Sequence, residues 1–288
     1  MVILTSPSEL QVYLKQLRQR ERTVGLVPTM GALHAGHASL VEASKAGNEV
    51  TVCSIYVNPT QFNSATDLRS YPRSLEADCR LLEEHACDAV FIPDNEAIYP
   101  EPPRTRLHFG ELESVMEGRF RPGHFNGVGL VVSKLFHMVQ PDRAYFGQKD
   151  LQQFLIVQRL VTDLSFGLQL VRCPIVREPD GLALSSRNAR LTPAQRGVAP
   201  ALYRALDQAR EMLRTHQGVA QTKQAILGYF SGLSGIRLEY FEIADGEDLR
   251  EVSDLRNHRH LALCIAAYLD EVRLIDNLLL TNPPDPGA

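Results

Sequence analysis

Apolar residues recur along the first 175 residues in two alternating patterns. Short runs that are apolar on both faces predict buried strands, and stretches with apolar residues three and four apart predict helices. Strands buried on both faces and separated by helices indicate a parallel sheet covered on both sides, a doubly wound α/β fold. The predicted strands are 23–28, 49–56, 89–92, 143–146 and 168–171, and the predicted helices are 7–17, 37–47, 75–85, 128–139 and 151–164.

The pattern changes near residue 175. Two helical stretches, 193–215 and 219–233, are followed by strand-like runs at 237–244, 261–268 and 272–280. This order is typical of a small α+β unit. We therefore expect two domains, one at 1–175 and a smaller α+β domain at 176–288 that can act as a lid. The tail 282–288 (NPPDPGA) is expected to fray.

The composition limits the classes of partner that the protein is expected to bind. The chain has 30 Lys and Arg against 34 Asp and Glu, a net charge of −4. This balance gives no general attraction to nucleic acid or to an anionic membrane, so we expect neither as a partner. Its apolar runs fall short of the roughly 18 residues of a membrane span, and the first residues lack a signal-peptide pattern. Five cysteines without CxxC spacing indicate reduced thiols and a cytoplasmic location.

The first candidate site follows the first buried strand, in PTMGALHAGH at 28–37. Gly31 allows a sharp turn, and Gly36 allows a ligand to approach the backbone. A helix that starts near His37 offers amide groups to an anion. His34 and His37 lie three residues apart, so both imidazoles can donate hydrogen bonds to phosphate oxygens. The alternative is a turn that carries two polar surface histidines.

A second candidate site is YFGQKD at 145–150, where another strand joins a helix. Gly147 permits close approach, Lys149 can neutralise phosphate, and Asp150 can hold Mg²⁺. Gln153 lies one helical turn beyond Lys149 and faces the same way. Alternatively, Asp150 only caps the helix that follows.

A third candidate site is REPDGLALSSRN at 177–188. Ser185, Ser186 and Arg187 place two hydroxyl groups and a guanidinium in sequence, a combination that suits a polyphosphate. A polar loop between domains is the alternative.

Two further stretches carry polar side chains suited to a small anion. Asn58 and Gln61 follow the second strand and can orient a hydroxy acid through neutral amides, unless the segment is a plain turn. Arg121 and His124 precede a predicted helix and are compatible with a mobile lid, an anion contact or a loop.

Together, these segments resemble the pantoate–β-alanine ligase (pantothenate synthetase) family. The matching segments, in the family's order across 28–188, are PTMGALHAGH, YVNPTQF, RPGHFNGV, PDRAYFGQKDLQQ and VREPDGLALSSRN. The wider HIGH-type nucleotidyltransferase superfamily shares only the first. Gln148 stands where many relatives have Glu, and Leu184 where many have Met; both departures should be tolerated.

The resemblance implies a Rossmann-like N-terminal domain, a homodimer, and an ATP- and Mg²⁺-dependent condensation of pantoate with β-alanine through pantoyl-adenylate. It implies that His37 is the catalytic proton donor. A carboxylate that approaches a triphosphate is repelled, so we expect His34, His37, Lys149, Arg187 and Mg²⁺ to neutralise the negative charge. Gln61 and Gln153, with Asn58 nearby, would hold pantoate, and Gln61 would help to place β-alanine. The implied ATP-site residues are Met30, Gly31, His34, Gly36, His37, Gly147, Gln148, Lys149, Asp150, Val176, Leu184, Ser185, Ser186 and Arg187.

Two other functions are compatible with the residues alone. One is a nucleotidyltransferase that acts on a phosphorylated substrate, although such a substrate would need additional cations. The other is a nucleotide-binding module without catalysis, which would not need both histidines, Lys149 and Arg187 together.

Overall fold

The computed structural model describes residues 1–64, 68–69, 71–255 and 258–281. The predicted frayed tail lies outside these ranges. The strands are β1 (Val2–Leu4), β2 (Val24–Thr29), β3 (Val50–Ile55), β4 (Ala89–Phe91), β5 (Arg143–Gly147), β6 (Gln169–Cys173), β7 (Arg237–Asp245), β8 (His260–Leu269) and β9 (Val272–Thr281). The described α-helices are α1 (Pro7–Arg18), α2 (Ala35–Gly47), α3 (Leu75–Glu84), α4 (Asn95–Ile98), α5 (Met116–Phe120), α6 (His124–Val139), α7 (Leu151–Asp163), α8 (Pro193–Val198), α9 (Ala201–Arg214) and α10 (Val219–Ser231).

The first six strands form one parallel sheet in the order β1-β4-β3-β2-β5-β6. All six residues of β3 are buried, as the continuous apolar run predicts for a central parallel strand. After β2 the chain builds the sheet toward β1, and it returns on the other side of β2 as β5. This confirms the predicted doubly wound, Rossmann-like fold. It also places the reversal of strand order between β2 and β5, where such sheets bind ligands.

The C-terminal part contains a three-stranded antiparallel sheet in the order β7-β8-β9. Side chains from α9 and α10, including Leu202, Leu206 and Ile226, form one apolar core with Ile243 and Leu263 of the sheet. Since β8 is buried along almost its whole length, this sheet has a core of its own. The predicted smaller α+β unit is therefore confirmed.

Several elements differ from the sequence-based prediction, among them the short helices α4 and α5, which were not predicted. Strand β1 was not predicted, because two of its three residues are exposed and the run is too short to show a period. The predicted helix 193–215 is divided at Pro200 into α8 and α9, since proline lacks the amide hydrogen that continues a helix. Helix α6 begins at His124, four residues earlier than predicted, after Gly123 with φ of 80°.

The chain divides into two compact units. The first comprises Met1–Gln148 and Gln153–Pro174, and the second comprises Lys149–Gln152 and the chain from Ile175 onward. The second unit thus takes in a four-residue segment that lies between β5 and the body of α7 in the sequence. The domain limits 1–175 and 176–288 remain a prediction.

Two further properties concern the thiols and the helices. All five cysteines are free thiols, and burial raises the pKa of Cys87 to about 11, so this thiol is protonated at neutral pH.

Within the described ranges, no helix combines the length and the apolar character that a bilayer crossing needs.

Candidate active site

The histidine turn after β2 is held in an uncommon backbone conformation. Gly31 has φ of 82° and Ala32 has φ of 51°. For the alanine this left-handed conformation costs roughly 1–2 kcal/mol, so other contacts must stabilise it. The Asp78 carboxylate on α3 accepts hydrogen bonds from the amides of Ala32 (2.9 Å) and Leu33 (2.8 Å). Asp78 is 2% exposed and therefore fixes the turn from inside the protein.

Asp78 was not among the predicted site residues. Its signal in the sequence is weak: it occupies a position on the buried face of α3, four residues before Leu82, where an apolar residue is expected. A third hydrogen bond comes from the Ser74 hydroxyl at 3.0 Å. A buried carboxylate that receives three donors is well solvated by protein groups, although none of these donors is a cation.

His34 and His37 lie side by side at the start of α2, with ring centroids 4.2 Å apart. His34 Nδ1 accepts from the Gly36 amide at 3.1 Å, and His37 Nδ1 accepts from the His34 amide at 3.3 Å. A nitrogen that accepts carries no hydrogen, so this network assigns the hydrogen of each neutral ring to Nε2. Both imidazoles are therefore oriented as Nε2–H donors, the form that suits a phosphate oxygen.

The start of α2 corrects one expectation. The helix begins at Ala35, two residues before the predicted start near His37. The Gly36 amide is capped by the His34 ring, and the His37 amide donates to the His34 carbonyl at 2.7 Å. These two backbone amides are therefore already hydrogen bonded within the turn, and they are not the free anion-binding donors that the sequence suggested.

An ordered pair of buried amides follows β3. Asn58 Nδ2 donates to Gln61 Oε1 at 3.1 Å and to the Gly127 carbonyl at 3.1 Å. Gln61 Nε2 in turn donates to Met30 Sδ at 2.9 Å. Because Met30 directly precedes the histidine turn, the amide pair and the turn form one contiguous cluster.

Arg121 and His124 stabilise this cluster through a chain of hydrogen bonds to the backbone. His124 Nδ1 lies 2.8 Å from the Gln61 carbonyl oxygen, and Arg121 Nη1 lies 3.2 Å from His124 Nε2. A carbonyl can only accept and a guanidinium can only donate, so His124 is assigned as neutral with its hydrogen on Nδ1. The next turn of α6 is close-packed as well, since a Cβ on Gly127 would lie 2.3 Å from the Thr60 carbonyl oxygen.

Three strands bring these segments to the same edge of the sheet. Strand β2 lies between β3 and β5, and all three run parallel. Their carboxyl ends lead into the histidine turn, the amide pair and Gly147–Gln148, respectively. Gln153 lies in the first turn of α7. The first unit thus brings together Met30, Gly31, His34, Gly36, His37, Asn58, Gln61 and Gly147 near the point where strand order reverses.

The second unit carries the other predicted residues. Lys149 Nζ lies 3.4 Å from the half-exposed Asp150 carboxylate, and the carbonyl oxygen of Lys149 accepts from Asn277 Nδ2 at 2.9 Å. Within the described ranges, no three His, Cys, Asp or Glu side chains converge in a way that could hold a metal ion.

Residues 176–188 form a tight loop with two paired arms: the first arm contains Val176 and Arg177, and the second arm contains Ala183 and leads to Arg187. Arg177 pairs with Ala183 across it, and the Leu184 amide donates to the Val176 carbonyl at 3.0 Å. Ser185 Oγ accepts from the Arg187 amide at 3.2 Å, at the start of the 3₁₀ turn Ser186–Arg190. Leu184, Ser185, Ser186 and Arg187 are therefore presented on a fixed backbone at the end of the second arm.

An open parallel sheet with polar turns at the carboxyl ends of β2, β3 and β5 defines a Rossmann-like, nucleotide-binding class of α/β protein. The family described as pantoate-beta-alanine ligase matches residues 2–279, and the chain belongs to that family. It is an enzyme, a ligase.

Individual relatives agree with this assignment. The chain is 50% identical over 279 residues to the pantothenate synthetase of Phocaeicola vulgatus, covering 96% of this chain and 99% of that protein. It superposes on the crystal structure of pantothenate synthetase from Thermus thermophilus with a TM-score of 0.91 and 44% identity, covering 96% and 99% of the two chains. A second similar structure is pantoate-beta-alanine ligase from Francisella tularensis complexed with beta-gamma ATP and beta-alanine, with a TM-score of 0.79, 34% identity and 97% of each chain covered.

Proposed function

We propose that this enzyme condenses pantoate with β-alanine to give pantothenate, through a pantoyl-adenylate, with release of pyrophosphate and AMP. The observation that best supports the proposal is the cluster in the first unit, where the turn that carries two neighbouring imidazoles contacts an ordered pair of neutral amides through Met30. Imidazole donors suit a phosphate, and neutral amides suit the hydroxyl and carboxylate groups of a hydroxy acid.

In the first step a pantoate carboxylate oxygen attacks the α-phosphorus of ATP. A new P–O bond forms, the bond from the α-phosphorus to the bridging oxygen breaks, and pyrophosphate leaves with that electron pair. A carboxylate that approaches a triphosphate is repelled, so catalysis here depends on neutralising charge. His37 would donate a hydrogen bond or proton to the phosphate oxygens, and His34, Lys149 and Arg187 would share the negative charge.

In the second step the amine of β-alanine attacks the acyl carbon of the adenylate. A C–N bond forms, the bond from the acyl carbon to the phosphate oxygen breaks, and AMP leaves with the oxygen that pantoate contributed. The amine loses its proton to the medium. No covalent bond to the protein is required, so we expect no nucleophilic Ser or Cys in the site.

On this proposal the substrates contact the residues that the resemblance implies. Pantoate is bound by Gln61, Gln153 and Asn58, and Gln61 also helps to place β-alanine. The residues that bind ATP are Met30, Gly31, His34, Gly36, His37, Gly147, Gln148, Lys149, Asp150, Val176, Leu184, Ser185, Ser186 and Arg187.

The half-exposed carboxylate of Asp150 fits a Mg²⁺ ion that arrives with the triphosphate. Such ions keep several waters and bind through one or two carboxylates together with substrate phosphates. Asp150 would supply the protein oxygen, and the ion would neutralise triphosphate charge. We also propose that the enzyme is a homodimer, as the resemblance to the family implies, and that it is cytoplasmic, as its cysteine pattern indicates.

The proposal is tested by measuring pyrophosphate release from ATP with pantoate, in the presence and absence of β-alanine. We expect a stoichiometric burst without β-alanine and continuous turnover with it. Release that needs a phosphorylated acceptor instead of pantoate would favour the other class of nucleotidyltransferase. ATP binding without any release would indicate a non-catalytic module.

A further inference from the structure

The strand β9 contains two consecutive polar residues where the pattern calls for apolar ones. Leu274, Leu278 and Leu280 of β9 pack on the apolar core of the second unit, and Asp276 occupies the same alternating face. Asp276 is 4% exposed and Asn277 is 2% exposed. Neither belongs to the motifs that indicated the active site.

Asp276 is bound to Arg177 through both carboxylate oxygens, at 2.6 and 2.9 Å. The guanidinium also donates to the Gly181 carbonyl at 3.0 Å and lies 4.3 Å from the centre of the Tyr203 ring. The hydrogen bonds to Asp276 and Gly181 hold both the first arm and the tip of the 176–188 loop. The second arm, which pairs with the first, leads directly to Ser185 and Arg187.

Asn277 points to the opposite face of the same sheet, because successive side chains of a strand alternate. Its amide nitrogen donates to the carbonyl oxygen of Lys149 at 2.9 Å. Its own backbone carbonyl accepts from Arg177 Nη2 at 3.2 Å, and its backbone amide donates to Asp276 Oδ1 at 2.7 Å. Asn277 is therefore hydrogen bonded directly to the backbone that carries Lys149. Asp276 is connected to the loop that carries Arg187 only through the Arg177 side chain, which bonds to Asp276 and to the Gly181 carbonyl.

Stability alone is a poor explanation for this arrangement. A buried ion pair costs much of its attraction in lost hydration, and apolar residues of similar size often stabilise a core equally well. Leucine fills the adjacent positions on this face of β9. A buried Asp–Arg pair followed by an Asn is better explained by the need to fix backbone positions. The grouping of Lys149–Gln152 with the second unit agrees with this.

We propose that Asp276 and Asn277 are positioning residues, which hold the Lys149 segment and the Ser185–Arg187 segment at a fixed separation so that both cations meet one triphosphate. This inference rests on the function proposed above, in which Lys149 and Arg187 contact ATP. Neither Asp276 nor Asn277 needs to touch the nucleotide.

The test is a double-mutant cycle on the equilibrium binding of ATP, measured by calorimetry without pantoate so that no bond is broken. We expect Asn277→Ala to weaken ATP binding about tenfold, the effect of losing one buried hydrogen bond. In a Lys149→Ala background, the same change should cost less than about twofold, because the group that it positions is gone. If Asn277→Ala does not fold, Asn277→Ser, which is polar but lacks the side-chain amide that donates to the Lys149 carbonyl, carries the same cycle.

A second cycle compares Asp276→Asn in the wild-type chain and in an Arg187→Ala background. We again expect weaker ATP binding in the first case and a much smaller effect in the second. The control is Glu239→Gln, which breaks a comparably buried ion pair to Arg273 (2.8 Å) on the same sheet. It should lower the Tm and leave ATP affinity unchanged.

The outcomes separate the two proposals. If Lys149→Ala weakens ATP binding but Asn277→Ala costs the same in both backgrounds, the positioning role is wrong and the proposed function stands. If Asn277→Ala has no effect on affinity, the positioning role is also wrong. If Lys149→Ala itself leaves ATP binding unchanged, the assignment of Lys149 in the proposed function fails, and the positioning role fails with it.

Discussion

Replacing Asp78 by Asn tests whether the histidine turn depends on one buried carboxylate. The carboxylate accepts from two backbone amides and one hydroxyl, at 2.8–3.0 Å. Asn keeps the size but has one accepting oxygen, and its NH₂ group would face an amide donor. A hydrogen bond to a charged group is worth about 1.5–3 kcal/mol, so we expect the free energy of unfolding to fall by about 2–3 kcal/mol.

The same substitution should also slow catalysis. Without the carboxylate, the left-handed conformation at Ala32 loses its support, and the two imidazoles that follow it shift. Misplacement by about 1 Å can reduce a rate by about 100-fold, so we expect kcat/KM for pantoate to fall by about 10- to 100-fold. Steady-state kinetics at a temperature where the variant is folded, together with thermal unfolding, measures both effects.

The matched control is Asp88→Asn. Asp88 also accepts from a backbone amide, that of Thr51 at 2.7 Å, and from Lys45 at 2.8 Å, but it precedes β4 at the opposite edge of the sheet. This variant should lose stability and keep its kcat/KM. If Asp78→Asn is destabilised and yet retains full kcat/KM, the turn does not depend on this carboxylate and the reasoning is refuted.

Three further substitutions test other parts of the site. His37→Ala should slow adenylate formation roughly 10²–10³-fold, the scale of losing one charge-stabilising donor; an unchanged rate in single-turnover quench experiments would exclude the role. Gln61→Ala should raise the KM for pantoate, and if pantoate binding stays the same this residue must be reassigned. Gly127→Ala should lower the free energy of unfolding by about 1–3 kcal/mol and raise the KM for pantoate, because its Cβ would lie 2.3 Å from a carbonyl oxygen. The control Gly228→Ala, on an exposed helical position with open space, should be neutral or raise that free energy by up to about 1 kcal/mol; equal losses in both variants would refute the packing argument.

Local patterns were enough to predict the fold class and most of the strands. The limits of β2, β3, β7 and β9 agree with their apolar runs to within one or two residues, because such runs report burial directly. The pattern Ser6-Pro7-Ser8-Glu9 is likewise local: its capping-box partners are three residues apart, and the box is present at the start of α1.

The supporting residues could not be predicted, because their partners are distant in the sequence. Asp78 acts on amides 45 and 46 residues away, and Asn277 acts on a carbonyl 128 residues away. An isolated acid or amide on an otherwise apolar face gives only a hint that some partner exists. Its identity depends on how the strands are ordered in the sheet, which no local period contains.

The origin of the oxygen in AMP tests the central claim most directly. Pantoate labelled with ¹⁸O in its carboxylate is incubated with ATP, β-alanine and the enzyme, and the products are analysed by mass spectrometry. An acyl-adenylate predicts one ¹⁸O atom in each AMP and none in pyrophosphate. Unlabelled AMP, or label in inorganic phosphate together with ADP, would contradict the account.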